Sequence, residues 1–95
     1  MSATEWETAR ASGAFAGSAH DVRDGFIHFS TAEQLAETAA KHYAGRTDLL
    51  VLTVDAAALT APLKWEPSRG GALFPHLYGV LPLTAVRNAE KLPPP

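Results

Sequence analysis

The 95-residue sequence contains no cysteine. Disulfides, thiolate nucleophiles and cysteine-ligated metal centres are thereby excluded. A small chain that folds without disulfides points to the cytoplasm. Charge of one sign is also lacking: 8 Lys plus Arg stand against 10 Asp plus Glu, a formal net of -2 at pH 7. Nucleic-acid binders show a basic excess or stripe, because phosphate neutralisation dominates their affinity. No nucleic-acid partner is therefore expected. No run approaches the ~18 apolar residues of a membrane span, the longest being Leu49-Leu50-Val51-Leu52. The N-terminal stretch carries Glu5, Glu7 and Arg10 where a signal peptide would be apolar, so neither membrane nor export is expected.

What is present fits one small globular unit. Hydrophobic residues make up 46% and charged residues 19%, the balance of a chain with a core. One domain is expected over residues 1–92, followed by a proline tail at 93–95. Ser2, Thr4, Glu5 and Glu7 form overlapping capping-box patterns that predict a helix over 4–12, stopped by Gly13. Residues 17–25 read as a polar loop. Phe26 to Ser30 is β-branched and aromatic and reads as a central strand, with Phe26, His28 and Ser30 on one face. A second main helix follows, capped by Ser30 or Thr31, with a stripe of Leu35, Ala39 and Tyr43, ending at Gly45. Leu49 to Val54 reads as a buried strand, and Asp55 to Leu59 as one capped turn. Lys64-Trp65 reads as a brief strand, Glu66 to Pro75 as turn chemistry, Leu77 to Val80 as a strand, and 83–92 as a turn plus a last strand. Helices and strands mix without strict alternation. The fold class expected is α+β, with a small mixed β-sheet and two main helices.

Two stretches concentrate chemistry. The first is Trp65-Glu-Pro-Ser-Arg-Gly-Gly-Ala-Leu-Phe-Pro-His-Leu-Tyr-Gly79, which joins aromatics, glycines, an acid, an arginine and a histidine. A bare loop needs only Gly, Pro and polar residues; large contact faces with hydrogen-bonding tips are what small-ligand pockets use. Ser68, Arg69, Gly70 and Gly71 fit a backbone nest holding a phosphate or carboxylate. They equally fit a tight turn in which Arg69 pairs with Glu66. The second stretch is Gly25-Phe-Ile-His-Phe-Ser-Thr31, where His28 stands beside a helix start that favours anions. The plain alternative is a core histidine, with Ser30 and Thr31 only capping. No nucleophile elbow supports a triad. A metal site from His28, His76 and Glu66 has no local spacing behind it, so no metal is expected. His20 and His42 read as exposed and incidental.

Together the two stretches, with Glu37-Thr-Ala-Ala40 between them, resemble the bacterial domain of unknown function 952 family, from Trp6 to about Val86. A more distant likeness links Gly-Phe-Ile-His-Phe-Ser-Thr, the helix and Leu-Val-Leu-Thr-Val-Asp-Ala to the RNA 2'-phosphotransferases, which have ADP-ribosyltransferase-like folds and bind NAD. That likeness implies a ligand-facing role for His28, Ser30 and Thr31, and a nucleotide or ADP-ribose-like ligand with NAD as the cofactor. The chain departs from those enzymes at Gln34, Glu37 and Lys41, where they place phosphate-binding residues. Relatives also open with a short strand that this chain lacks, which predicts a sheet edge covered by a second copy, as a homodimer, or by the C-terminal segment.

The function expected is binding of a small anionic or nucleotide-like ligand between the two stretches, with ADP-ribosyl transfer as the reaction class. His28, Glu66 and His76 are the catalytic candidates. Ser30, Thr31, Trp65, Ser68, Arg69, Gly70, Gly71, Phe74 and Tyr78 are the binding candidates, with Arg69 on an anion and Trp65 or Tyr78 on a ring. The alternative is a non-catalytic module that meets another protein through the aromatic loop.

Overall fold

The computed structural model describes residues 1–42, 45–68 and 71–91. Helix α1 (Ala3–Ser12) begins on the capping box formed by Ser2 and Glu5, each side chain accepting from the other's backbone N–H. Gly13 ends it at φ 86, a left-handed conformation that suits glycine. Strand β1 (Ala14–Phe15) follows and pairs with β6 (Leu81–Pro82).

Residues 17–25 are not simply a polar loop. Ala19–Asp24 form a second short helix, α2. Ser18 Oγ accepts from Asp21 N at 3.2 Å, and Asp21 Oδ2 accepts from Ser18 N at 2.9 Å. This reciprocal cap starts the helix, and Gly25 at φ 88 stops it. At 6 residues it is too short to show an apolar stripe. Strand β2 is only Ile27–His28, shorter than the sequence predicts. Thr31 and Gln34 then cap each other, Thr31 Oγ1 accepting from Gln34 N and Gln34 Oε1 from Thr31 N. Helix α3 (Leu35–His42) follows. Tyr43, the end of its expected stripe, lies outside the described residues.

Strand β3 (Leu50–Val54) pairs along its length with β7 (Val86–Lys91), from the C-terminal segment. At its start, Leu50 N donates to Met1 O and Ala3 N to Asp48 O, so the N-terminal residues line the edge of β3 away from β7. A 3-10 turn at Ala56–Ala58 is capped by Asp55, as the sequence predicts.

The largest correction concerns residues 63–77. Turn chemistry is confined to the end of a hairpin made by β4 (Leu63–Pro67) and β5 (Leu73–Leu77). Ser68 N donates to Ala72 O and Gly71 N to Ser68 O across that end. Pro75 hid the strand, since proline cannot donate to a ladder. Its carbonyl accepts from Phe29 N, one residue past the end of β2. The missing donor therefore falls where the ladder with β2 stops, and Pro75 faces away from β4.

The α+β expectation holds. Among the described residues, however, the strands form three small antiparallel sheets, β1-β6, β2-β5-β4 and β3-β7, rather than one mixed sheet. Short strands between helices cannot extend one ladder across the molecule. The core is the cluster Ile27, Leu77, Leu81 and Ala85, with Phe15, Phe29, Val54, Leu59 and Leu63 packed on it. It packs on one face of β2-β5-β4, around Ile27, Leu63 and Leu77, and leaves the other face to the site.

Candidate functional site

Strand pairing places the site. β2 meets β5 with Ile27 opposite Leu77 and His28 opposite His76. β4 meets β5 with Lys64 opposite His76 and Glu66 opposite Phe74. Ile27, Leu63 and Leu77 point into the core. Alternation then puts His28, His76, Lys64, Glu66, Phe74 and Tyr78 on the opposite face. Phe29 N bonds to Pro75 O, which puts His28 and His76 at the adjacent, closely spaced kind of antiparallel pair. Their ring centroids are 5.5 Å apart.

Each histidine is held by its own carboxylates. His28 Nδ1 lies 2.6 Å from Asp21 Oδ1, and its Nε2 lies 3.0 Å from Asp24 Oδ2. Asp21 Oδ1 also accepts from His28 N at 3.1 Å, so this buried carboxylate grips strand and ring together. On the other arm His76 Nδ1 lies 2.8 Å from Glu66 Oε1, and the Tyr78 hydroxyl donates to the same oxygen at 2.6 Å. Those two bonds, Tyr78 foremost, hold the Glu66 carboxyl below its ordinary range. The same bond to Glu66, aided by desolvation, raises the Tyr78 phenol. Desolvation alone would raise Asp24, but the Arg23 hydrogen bond and the charges of His20, Arg23 and His28 outweigh it and hold Asp24 low.

Phe26 joins the two arms. Its ring stacks on His76 at 4.1 Å between centroids, and stands 4.6 Å from His28 and 5.2 Å from Tyr78. His76 is only 4% exposed, whereas His28, Glu66 and Tyr78 are part-exposed and Lys64 is exposed. Lys64 Nζ lies 4.9 Å from the centre of the Tyr78 ring, a cation–π distance.

The other expected site residues sit elsewhere. Ser30 Oγ is 3.0 Å from Thr38 Oγ1, and Thr31 Oγ1 accepts from Gln34 N in the turn that leads into α3. Both hydroxyls are engaged by the fold. Trp65 lies opposite Pro75 on the core-side face of the hairpin, away from the histidines. Ser68 and Gly71 belong to the hairpin turn, with Ser68 roughly 13 Å along the strand direction from the His76 level. Arg69 and Gly70 lie outside the described residues. Among the described residues the two stretches do not face one another across a cleft, because β2 and β5 are hydrogen-bonded neighbours. The shared surface is the sheet face they build. A separate groove of about 360 Å³ runs beside α1, lined by Thr4, Glu5, Thr8 and Phe15 among others. None of the expected site residues lines it.

Sequence reasoning missed Asp21, Asp24, His20 and Lys64. Two signals point to the first three, the Ser18–Asp21 capping pattern and the four-residue steps from His20 to Asp24 to His28, and none points to Lys64. His20 was read as incidental, yet its Nε2 lies 3.3 Å from Asp24 Oδ2 and its ring 4.5 Å from that of His28.

The family model described as "Protein of unknown function (DUF952)" matches residues 1–89. The crystal structure of protein CC0527 from Caulobacter crescentus is similar, at 50% identity and a TM-score of 0.92, covering 98% of this chain and 82% of that one. A double mutant of the same protein aligns at 49% identity and 0.91, with 98% and 82% covered. Its solution NMR structure aligns at 51% identity and 0.85, with 97% and 79% covered. No curated protein matches.

Proposed function

The chain belongs to the domain of unknown function 952 family, and from that premise we propose that the histidine-bearing face of its β2-β5-β4 sheet binds a small anionic, nucleotide-like ligand. One observation carries the reading. Two imidazoles, each on its own carboxylate, stand opposite one another in neighbouring strands, on the face turned away from the core. Perturbed carboxyl and phenol groups gathered on one surface are the usual mark of a working site.

The roles follow from exposure. Lys64 is the cation that meets a phosphate or carboxylate. Tyr78, with Lys64 over one face of its ring, supplies contact area and a phenol tip beside the bound base or sugar. His28 and Glu66 are the accessible proton-handling groups. His76 lies beneath Phe26 and acts as a positioning residue that orients Glu66. The likeness to RNA 2'-phosphotransferases makes NAD and ADP-ribose the first ligands to try, with ADP-ribosyl transfer as the reaction class. Calorimetric titration with NAD, ADP-ribose and AMP tests this. Saturable binding that weakens at least ~10-fold in Lys64→Ala and in His28→Ala supports it. No binding, or binding indifferent to both variants, refutes it.

A second reading rests on a different surface. Trp65 and Leu73 are 53% and 51% exposed, and both lie on the core-side face of the hairpin. That pair suits a protein partner. Under this reading Trp65→Ser abolishes partner binding and leaves nucleotide binding unchanged.

A further inference from the structure

We propose that His20, Asp24 and His28 form a binding site for one divalent transition-metal ion of the zinc type. The inference does not rest on the nucleotide reading: of that reading's residues only His28 is shared, and Lys64, Glu66, His76 and Tyr78 take no part in it.

The chain brings the three residues together by simple means. His20 and Asp24 are four apart on α2, so they share a face. Gly25 reverses the chain, and β2 returns His28 alongside that face. His28 Nε2 and His20 Nε2 lie 3.0 Å and 3.3 Å from the same oxygen, Asp24 Oδ2. All three ligand atoms fall within 4.8 Å of one another. Zinc bonds of about 2.0–2.1 Å in a tetrahedron set ligand atoms ~3.3 Å apart. Two edges are therefore in place, and only the two ring nitrogens must close up.

The surroundings add a second, independent observation. Asp21 is nearly buried and takes His28 Nδ1 at 2.6 Å. A carboxylate on the far nitrogen of a histidine is the usual outer partner of a metal ligand. It keeps the proton on Nδ1 and turns the Nε2 lone pair toward the ion. Asp21 is itself fixed by Ser18 N and His28 N. Two imidazoles and one carboxylate suit zinc, cobalt, nickel or copper better than magnesium or calcium. Three protein ligands leave one tetrahedral position for water or a ligand oxygen.

Arg23 is the one obstacle. Its guanidinium lies 2.8 Å from His20 Nδ1 and 3.4 Å from Asp24 Oδ1. Coordination through His20 Nε2 puts a proton on Nδ1, so Arg23 swings off into solvent. Its removal therefore tightens the site.

The test is titration of the full chain, freed of metal, with Zn(II) by calorimetry and with Co(II) by visible absorption, no nucleotide present. The proposal predicts one ion per chain and Co(II) bands of a less than six-coordinate ion. It predicts affinity down at least ~10-fold in His20→Ala and Asp24→Asn, down ~10–100-fold in Asp21→Asn, up in Arg23→Ala, and unchanged in Lys64→Ala. His20 is exposed, so His20→Ala keeps the fold and carries the test if Asp21→Asn does not fold. No binding tighter than ~1 mM, or equal binding in His20→Ala and Asp24→Asn, overturns it. In that outcome His28 only bridges Asp21 and Asp24 within the fold.

Discussion

His28 and His76 face one another across the β2–β5 ladder, their rings 5.5 Å apart, with Phe26 stacked on the second. The strand register sets this meeting, and a slip of one residue in either strand would turn that strand's ring into the core. The site therefore depends on the hairpin and α2 holding their places.

The Glu66–Tyr78 bond is open to direct test by absorbance. The protein has 2 tyrosines, and Tyr78 is raised above the ordinary 10.0 by Glu66. An ultraviolet pH titration should show one phenol ionising late. Glu66→Gln should bring that phenol down toward the ordinary value.

Acid stability follows from the same carboxyl. Glu66 is lowered below 4.5 in the folded chain. Its contribution is then complete above the ordinary carboxyl value and is lost as pH falls through the lower folded value. Denaturation followed from pH 6 to pH 2 should show an acid limb that is shallower in Glu66→Gln than in the parent.

Gly17 guards the first arm. A Cβ there would sit 2.8 Å from Asp21 Cβ, at a backbone φ of 116. Neither the short Asp21 side chain nor the backbone can yield cheaply. Gly17→Ala should cost about 1–3 kcal/mol and loosen the Asp21–His28 pair. Chemical denaturation reads the first effect, and the His28 ring signals in NMR read the second.

Core and surface should separate cleanly on the hairpin. Leu77 is fully buried in the cluster with Ile27 and Leu81, so Leu77→Ala should cost about 2–5 kcal/mol. Trp65→Ser, at a half-exposed position, should stay within about 1 kcal/mol. A large loss at Trp65 would mean that its ring is packed in solution.

Much of this was legible in the residues. Capping boxes marked α1, glycine marked its end, and alternation put Phe26 and His28 on one face. The two chemistry-bearing stretches do share one surface. What stayed hidden had physical causes. Helix α2 is too short and polar for periodicity to show. Pro75 and the glycines masked a hairpin, because a ladder end tolerates a proline that a ladder interior would not. Asp21 and Asp24 come into reach of His28 only when Gly25 turns the chain back, a relation that no local spacing states by itself. Trp65 and Tyr78, read as one binding surface, lie on opposite faces because Trp65 pairs with Pro75 and Tyr78 is an odd step of three residues further on.

The central claim is that the His28–His76 face receives a small anionic, nucleotide-like ligand. An NMR titration of the nitrogen-labelled chain with NAD and ADP-ribose, following the His28 and His76 rings and the Lys64 and Tyr78 amides, tests it most directly. Saturable shifts on those four residues are expected, with the titration moved to at least ~10-fold higher ligand in Lys64→Ala. Shifts confined to other surfaces, or none on these residues at saturating ligand, would contradict it.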